Sequence, residues 1–401
     1  MKVGVWIESD FAPTEGGGFS YIDKLVKAMD EYTFHPSLEI CFVHEGEEDD
    51  IQLKREVVNL KWNYKISLWE RLLLRIPIVS AKMRSKLSKK KHVAYRRILR
   101  QHGVHVLYYL RQLDCHVPGF PFVMTNWDIG HSSTYAFPEL VTDGYYNFEV
   151  RSNFYVHVLP QALFVFAESE AGKQELIRYT NIADFKIKVV PIFAGNSVLL
   201  QVPKEQQIEI LNSYGLTPNH YFFYPAQFWA HKNHYNLLLA FSQFVEIHPD
   251  YKLVLTGSDK GNLDYIQKTI QKLNLKDKVV FPGFVPMEHI NTFYKNATAL
   301  VMASYFGPTN MPPIEAMELG CPVICSELTG HREILDDAAI YFDPMFPDMI
   351  ANAMEQMLKN RESYEKRITD QRLKSKFNID VALQNINKYL QELIPIRSTW
   401  A

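Results

Sequence analysis

Cysteine is scarce in this chain of 401 residues, and the four present, Cys41, Cys115, Cys321 and Cys325, sit mostly among apolar neighbours. That pattern predicts a reduced, cytoplasmic protein, with Cys321 and Cys325 read as core thiols rather than as a metal pair. Long hydrophobic runs are missing too. No stretch reaches the roughly 18 apolar residues that a membrane span needs, and the apolar run after Met1 is too short for a secretory signal. Neither sign of charge dominates: the net charge is −2, so no global field draws the protein to nucleic acid. There is no short-period repeat and no low-complexity segment. The dinucleotide spacing G-x-G-x-x-G is absent, which argues against a nicotinamide-dependent oxidoreductase.

What is present is an alternation. Apolar content is 47%, normal for a globular protein, and the length exceeds one hydrophobic core, so two domains are expected. In the first half, strands are predicted at Val3–Ile7, Ile40–Val43, Val104–Tyr109, Phe122–Thr125, Leu163–Ala167 and Ile187–Val190. A helix after the first strand puts Phe19, Ile22, Leu25, Val26 and Met29 on one face. Ser169 is a candidate cap for the helix after Ala167. The stretch Asn196–Lys204 lacks periodicity and serves as the linker. Strands then recur at Tyr221–Tyr224, Leu253–Thr256, Val279–Phe281, Leu300–Ala303 and Val323–Cys325, with helical segments between them. Strand–helix alternation predicts parallel sheets covered on both faces, an α/β protein of two doubly wound domains. The expected boundaries are 1–200 and 201–377, with a helix at about 378–401.

The most informative segment is Ser304–Cys325, Ser-Tyr-Phe-Gly-Pro-Thr-Asn-Met-Pro-Pro-Ile-Glu-Ala-Met-Glu-Leu-Gly-Cys-Pro-Val-Ile-Cys. It reads as a loop at a carboxyl strand end, then a helix, then a strand. Proline is tolerated in a first helical turn, and open α/β sheets bind ligands at such strand ends. Free N–H groups at the helix start suit a phosphate. Glu315 either accepts hydrogen bonds from ribose hydroxyls or complements the helix dipole; spacing does not choose between them. Elsewhere, Glu15-Gly16-Gly17-Gly18 follows the first strand, where glycines let backbone N–H groups approach a phosphate. A plain flexible loop explains it equally well. Lys232, in Tyr224–Asn233, can bring a cation to a diphosphate or be a solvated surface lysine.

The run Pro312–Ile324 resembles the donor-site motif of the retaining, nucleotide-sugar-dependent glycosyltransferases of GT-B fold. The Phe-Gly-Pro-Thr-Asn version is similar to a branch that builds bacterial surface polysaccharides. The family has two glutamates eight positions apart; here the second is Glu315 and the first position is Gly307. The resemblance implies that backbone N–H groups of Thr309, Asn310 and Met311 take over part of the holding. It implies that Gly17 and Gly18 reach across a cleft to the donor diphosphate, and that Gly283 and Phe284 lie beside the nucleobase. Lys232 matches a family lysine, while Gln227 stands where an arginine is expected. An amide stabilises a leaving diphosphate less than a guanidinium does. Asp128 and His131, near a family His-Asp, are the candidates for acceptor-side contacts. Glu333 matches a further family position. No Asp-x-Asp occurs, so no metal or other cofactor is expected.

The expected activity is transfer of a sugar, with retention, from a nucleotide sugar on the second domain to an acceptor on the first. GDP-mannose is favoured by resemblance, and the acceptor is a saccharide or lipid-linked saccharide in surface polysaccharide synthesis. The C-terminal helix is expected to cross back onto the first domain. The alternatives are a non-catalytic partner of the same fold, favoured by Gly307 and Gln227, and a nucleotide-sugar epimerase. Finally, Lys82, Arg84, Lys86, Lys89, Lys90, Lys91, Arg96, Arg97 and Arg100 crowd one segment without an acid. An apolar stretch precedes it: Trp69, Leu72, Leu73, Leu74, Ile76 and Ile78. This suits either a solvated helix face or contact with an anionic membrane surface.

Overall fold

The computed structural model describes residues 1–8, 17–45, 52–62, 69, 77–112, 117–141 and 148–400. Glu15, Gly16, Leu72, Leu73, Leu74, Ile76 and Cys115 lie outside them. The first sheet has seven parallel strands in the order β3-β2-β1-β4-β5-β6-β7. These are β1 Lys2–Ile7, β2 Glu39–His44, β3 Val57–Asn59, β4 Val106–Tyr109, β5 Phe122–Asn126, β6 Val165–Ala167 and β7 Ile187–Val189. The second has six, in the order β10-β9-β8-β11-β12-β13. They are β8 Tyr221–Pro225, β9 Lys252–Thr256, β10 Val279–Gly283, β11 Ala299–Met302, β12 Val323–Ser326 and β13 Ala339–Phe342. Central strands such as β4, β5 and β11 are buried along their whole length because helices cover both faces. The apolar pattern missed β3, an edge strand of three residues too short to carry a period. It missed β13 as well, whose four residues follow the acidic pair Asp336-Asp337.

This is the GT-B architecture of two facing α/β domains. Each strand order reverses once, between β1 and β4 in the first sheet and between β8 and β11 in the second. Loops on the two sides of a reversal turn opposite ways, which opens a crevice at the carboxyl strand ends. The two crevices face each other. Helix α1 (Gly17–Glu31) opens at the first and buries Tyr21, Ile22, Leu25, Val26 and Met29. Phe19 is left partly exposed, toward the cleft. Helix α2 (Pro77–Gln101) carries the basic segment, and α3 (Glu170–Tyr179) is capped by Ser169, whose Oγ accepts from Gly172 N–H at 2.9 Å.

In the second domain α4 (His234–Ile247) and α5 (Met311–Glu318) begin at the cleft, and α6 (Thr329–Leu335) follows β12. The long α7 (Pro347–Lys374) kinks at Asn360. Helix α8 (Ile379–Glu392) lies against the first domain: Asn385 donates to the Val189 carbonyl at 3.0 Å, His35 N–H donates to Asn387 at 2.9 Å, and Lys188 pairs with Glu392 at 2.7 Å. Across the cleft the domains touch closely. A Cβ on Gly130 would sit 2.2 Å from the Phe306 ring, so the first domain needs glycine there for the aromatic to fit.

Candidate active site

Between the domains lies a cavity of about 720 Å³, lined from both sides. On the second-domain wall, the chain leaves β8 and makes a short turn at Ala230–Lys232. Asn233 then takes a left-handed conformation (φ 58°) and caps α4 through its side chain. Asparagine tolerates this backbone better than most residues. The turn aims Lys232 inward, where its Nζ donates to Asn310 Oδ1 at 2.9 Å. Burial lowers the Lys232 ammonium to about 8, against the opposing charges of Asp128 and Glu139. The motif loop supplies Phe306, Gly307, Thr309, Asn310 and Met311 to the same wall. Pro312 and Pro313 have no N–H, so backbone donors at the α5 start are confined to the residues before them. Glu315 is lodged behind: its Oε2 accepts from Tyr294 O–H at 2.9 Å and its Oε1 from Ser197 O–H at 3.4 Å. Burial raises the Glu315 carboxyl above its ordinary range, partly offset by Tyr294, the Gly195 N–H, Ser197 and Lys24.

Gln227 is in the wall, but its amide is committed. Its Oε1 accepts from Trp229 Nε1–H and its Nε2 donates to Ser258 Oγ, both at 3.1 Å. It therefore pins the Trp229 indole. Lys260 lies over that indole, 5.8 Å from a ring centroid, and also lines the cavity. A cation enters here from the loop after β9. Gly283 and the exposed Phe284 form the rim beside it.

On the first-domain wall, Gly17 and Gly18 open α1, and a Cβ on Gly17 would touch the Met311 thioether across the cleft at 3.8 Å. Asp128 follows β5. Its carboxylate accepts from Arg151 at 2.6 Å and from Gly130 N–H at 2.9 Å. Burial pulls the Asp128 carboxyl up, but Arg151 and Gly130 outweigh it and keep it below its ordinary value. Glu168, at the end of β6, is buried; its Oε1 accepts from Ser169 at 2.9 Å and from Thr309 of the other domain at 3.4 Å. Burial pushes its carboxyl well above the usual range. Two more contacts span the cleft. His231 Nδ1 donates to Glu139 at 2.5 Å, and Glu333 accepts the N–H groups of Glu170 and Ala171 at 3.0 and 2.8 Å, capping α3 from the opposite domain.

Eleven of the twelve residues singled out from the sequence thus line or border one cavity. His131 does not. It sits in the short helix Gly130–Ser133 with its ring stacked on Tyr155 (5.0 Å) and edge-on to Phe148 (5.4 Å), away from the cavity lining. Neither ring nitrogen has a hydrogen-bond partner among the described residues, and burial lowers it to about 4. It is a packed core ring. Sequence reasoning passed over Glu139, Arg151, Glu168, Trp229, His231 and Lys260. Glu168 left a signal, an acid closing the apolar run Val165–Ala167, and His231 adjoins Lys232. Arg151 and Glu139 left none, because they belong to no motif and reach the cleft through chain folding alone.

Residues 206–374 match the family described as glycosyl transferases group 1. The second domain belongs to that family. This group 1 glycosyltransferase domain contributes every wall residue from Gln227 to Glu315. Its relatives include O-antigen chain mannosyltransferase B of Escherichia coli, 26% identical over 203 residues, covering 50% of this chain and 53% of that one. O-antigen chain mannosyltransferase RfbU of Salmonella typhimurium is 28% identical over 184 residues, 45% and 46% of the two chains. The chain thus spans about half the length of the curated relatives it matches. Over the whole chain the fold is similar to that of Anabaena HepE in complex with UDP and glucose, with a TM-score of 0.70, 17% identity and coverage of 98% and 99%.

Proposed function

We propose that this protein transfers a sugar, with retention of configuration, from a nucleoside-diphosphate sugar on the second domain to a saccharide or lipid-linked saccharide acceptor on the first. The role is surface polysaccharide synthesis, and GDP-mannose is the favoured donor because the relatives named above are mannosyltransferases. The observation that carries this reading is Lys232: a half-buried cation held by a neutral amide, at the helix start of the motif, in a cavity walled by both domains. A leaving diphosphate needs charge stabilisation that grows as its bond breaks, and a preorganised ammonium and backbone N–H groups supply it without a metal ion. Lys260 adds a second cation from the Trp229 side, and Glu315 meets the ribose. The acceptor hydroxyl enters on the face that the diphosphate leaves, close to Asp128, Arg151 and Trp127. In this reading the protein positions and stabilises; no side chain is assigned as nucleophile.

The test is direct. A thermal-shift panel of GDP-, UDP-, dTDP- and ADP-sugars should show one that stabilises the protein, by about 2.7 kcal/mol at a hundredfold excess over Kd. Transfer from that donor to a saccharide acceptor, with the product anomer read by NMR, should show retention. Binding without transfer or hydrolysis would point to a non-catalytic partner, and sugar conversion without acceptor to an epimerase.

We further propose contact with an anionic membrane surface through α2. No helix among the described residues is long and apolar enough to cross a membrane. Leu87, Tyr95 and Leu99 face inward, while Arg84, Lys86, Lys89, Lys90, Arg97 and Arg100 are exposed. Lys86, Lys90, Val93, Arg97 and Arg100 recur every three or four residues, so they share one face. Lys91 is paired with Glu45 and Arg96 with the Pro118 carbonyl, which removes both from that face. Trp69 is exposed nearby in sequence; of Ile78 and Lys82 the backbone alone is described. Each basic residue near a charged surface contributes about 1 kcal/mol. Exchanging Lys86, Lys89 and Lys90 for glutamate should release the protein from phosphatidylserine vesicles at moderate salt, in a sedimentation assay, with transfer to a soluble acceptor retained. If the unaltered protein ignores such vesicles at low salt, the face is simply solvated.

A further inference from the structure

Asn310 precedes α5 at its cap position, yet its side chain makes no capping bond. It spans Lys232 and His331 instead. His331, on α6, is fully buried. Its Nδ1 lies 2.8 Å from the Ser326 carbonyl oxygen. A carbonyl can only accept, so the ring proton is on Nδ1. Burial keeps the ring neutral, down to about 4, so Nε2 is a lone pair. The Asn310 atom facing that lone pair at 3.0 Å must then be the amide nitrogen. The amide oxygen is thereby turned to Lys232 Nζ, at 2.9 Å.

We infer that His331 is a positioning residue for Lys232, acting by fixing which end of the Asn310 amide the ammonium meets. The inference rests on the reading that Lys232 stabilises the donor diphosphate. A second observation supports it. Gly307 has φ +128°, and a Cβ there would lie 2.7 Å from Asn310 Nδ2 and 3.0 Å from its Oδ1. Residue 307 is where the two-glutamate motif has its first glutamate. In this chain the amide fills the space such a side chain needs, so the Ser326–His331–Asn310 chain stands in place of that glutamate.

The charged and titratable groups around Lys232 are Asp128 and Glu139 from the first domain, His231 and His234 from its own segment, and His331. Burial lowers the His231 and His234 rings to about 4 and about 3, so like His331 they stay neutral near pH 8. Loss of the His331 acceptor frees the amide to rotate. An N–H turned toward Lys232 repels an ammonium but suits a neutral amine, which can accept. The lysine then loses its proton at lower pH.

The experiment is calorimetric binding of GDP, with UDP as a second probe, across pH. In the unaltered protein, affinity should begin to fall near pH 8, where free Lys232 becomes neutral and binding must take up a proton. In His331→Phe that break should move down by about one pH unit, giving roughly fivefold weaker binding at pH 8, ~1 kcal/mol, and approaching tenfold above pH 9. Affinity at pH 6.5 should change little. His331→Gln, which keeps a donor for Ser326 and an acceptor for Asn310, should restore the break. Asn310→Leu removes the acceptor directly and should give the same downward move, with no further move when combined with His331→Phe. Melting curves check that each variant folds, and Asn310→Leu decides the matter if His331→Phe does not. An unmoved break in the folded variants overturns the inference. If Lys232→Ala leaves affinity and its pH dependence unchanged, the reading of the site itself fails instead.

Discussion

Lys232→Ala is expected to lower kcat/KM for sugar transfer by about 10²- to 10³-fold, the usual consequence of removing one preorganised charge-stabilising donor. The loss should fall on kcat more than on KM, because negative charge on the diphosphate grows as the bond to the sugar breaks. Lys232→Arg should not rescue it. The pocket is built around a compact ammonium bonded to a single amide oxygen, and a planar guanidinium needs a different fork of acceptors. The variant should also lose the fall in affinity above pH 8, since no group is left there to take up the proton. Steady-state kinetics with the donor from the thermal-shift panel measure both effects. Near-normal kcat/KM would remove Lys232 from the chemistry.

Glu315→Ala should raise the Kd of the free nucleoside diphosphate by roughly 10- to 150-fold, the equivalent of about 1.5–3 kcal/mol for hydrogen bonds to a charged acceptor. The fold should persist. Some stability will be lost, because the Tyr294 hydroxyl is left with the Pro312 carbonyl at 3.5 Å as its remaining acceptor. Calorimetry with GDP and a melting curve separate the two effects. Glu315 also holds the linker, through Ser197 O–H and the Gly195 backbone. Unchanged affinity with a lowered Tm would make it a strut between α5 and the linker, with no part in ribose binding.

The second-domain wall of the cavity was legible because its parts are local. A strand end, a glycine-rich or proline-marked loop and a helix start occupy about ten consecutive residues, so spacing carries the geometry. Lys232, Thr309, Asn310 and Met311 could be assigned to one wall for that reason. The first-domain wall was legible only in part. Asp128 lies at a strand end and reaches the cavity, whereas His131, three residues on, is turned into the core by the short helix that starts at Gly130. An aromatic cage of Tyr155 and Phe148, distant in sequence, decides that orientation. Gln227 shows the same limit. Its chemistry suggested a weaker arginine; its partners make it a tether for Trp229.

By itself, the sequence determined that two parallel α/β sheets form, where most strands run, and which loops line the cavity between the domains. Those are consequences of apolar periodicity and of Pro and Gly placement, which act over a few residues. The tertiary structure alone decided which charges survive in the cleft. Lys232 at about 8, neutral His331 and the raised Glu168 carboxyl follow from burial by segments up to a hundred residues or more away in the chain. It also decided the Asn310 amide orientation, because a hydrogen-bond chain is defined by the partner at its far end, here the carbonyl of Ser326.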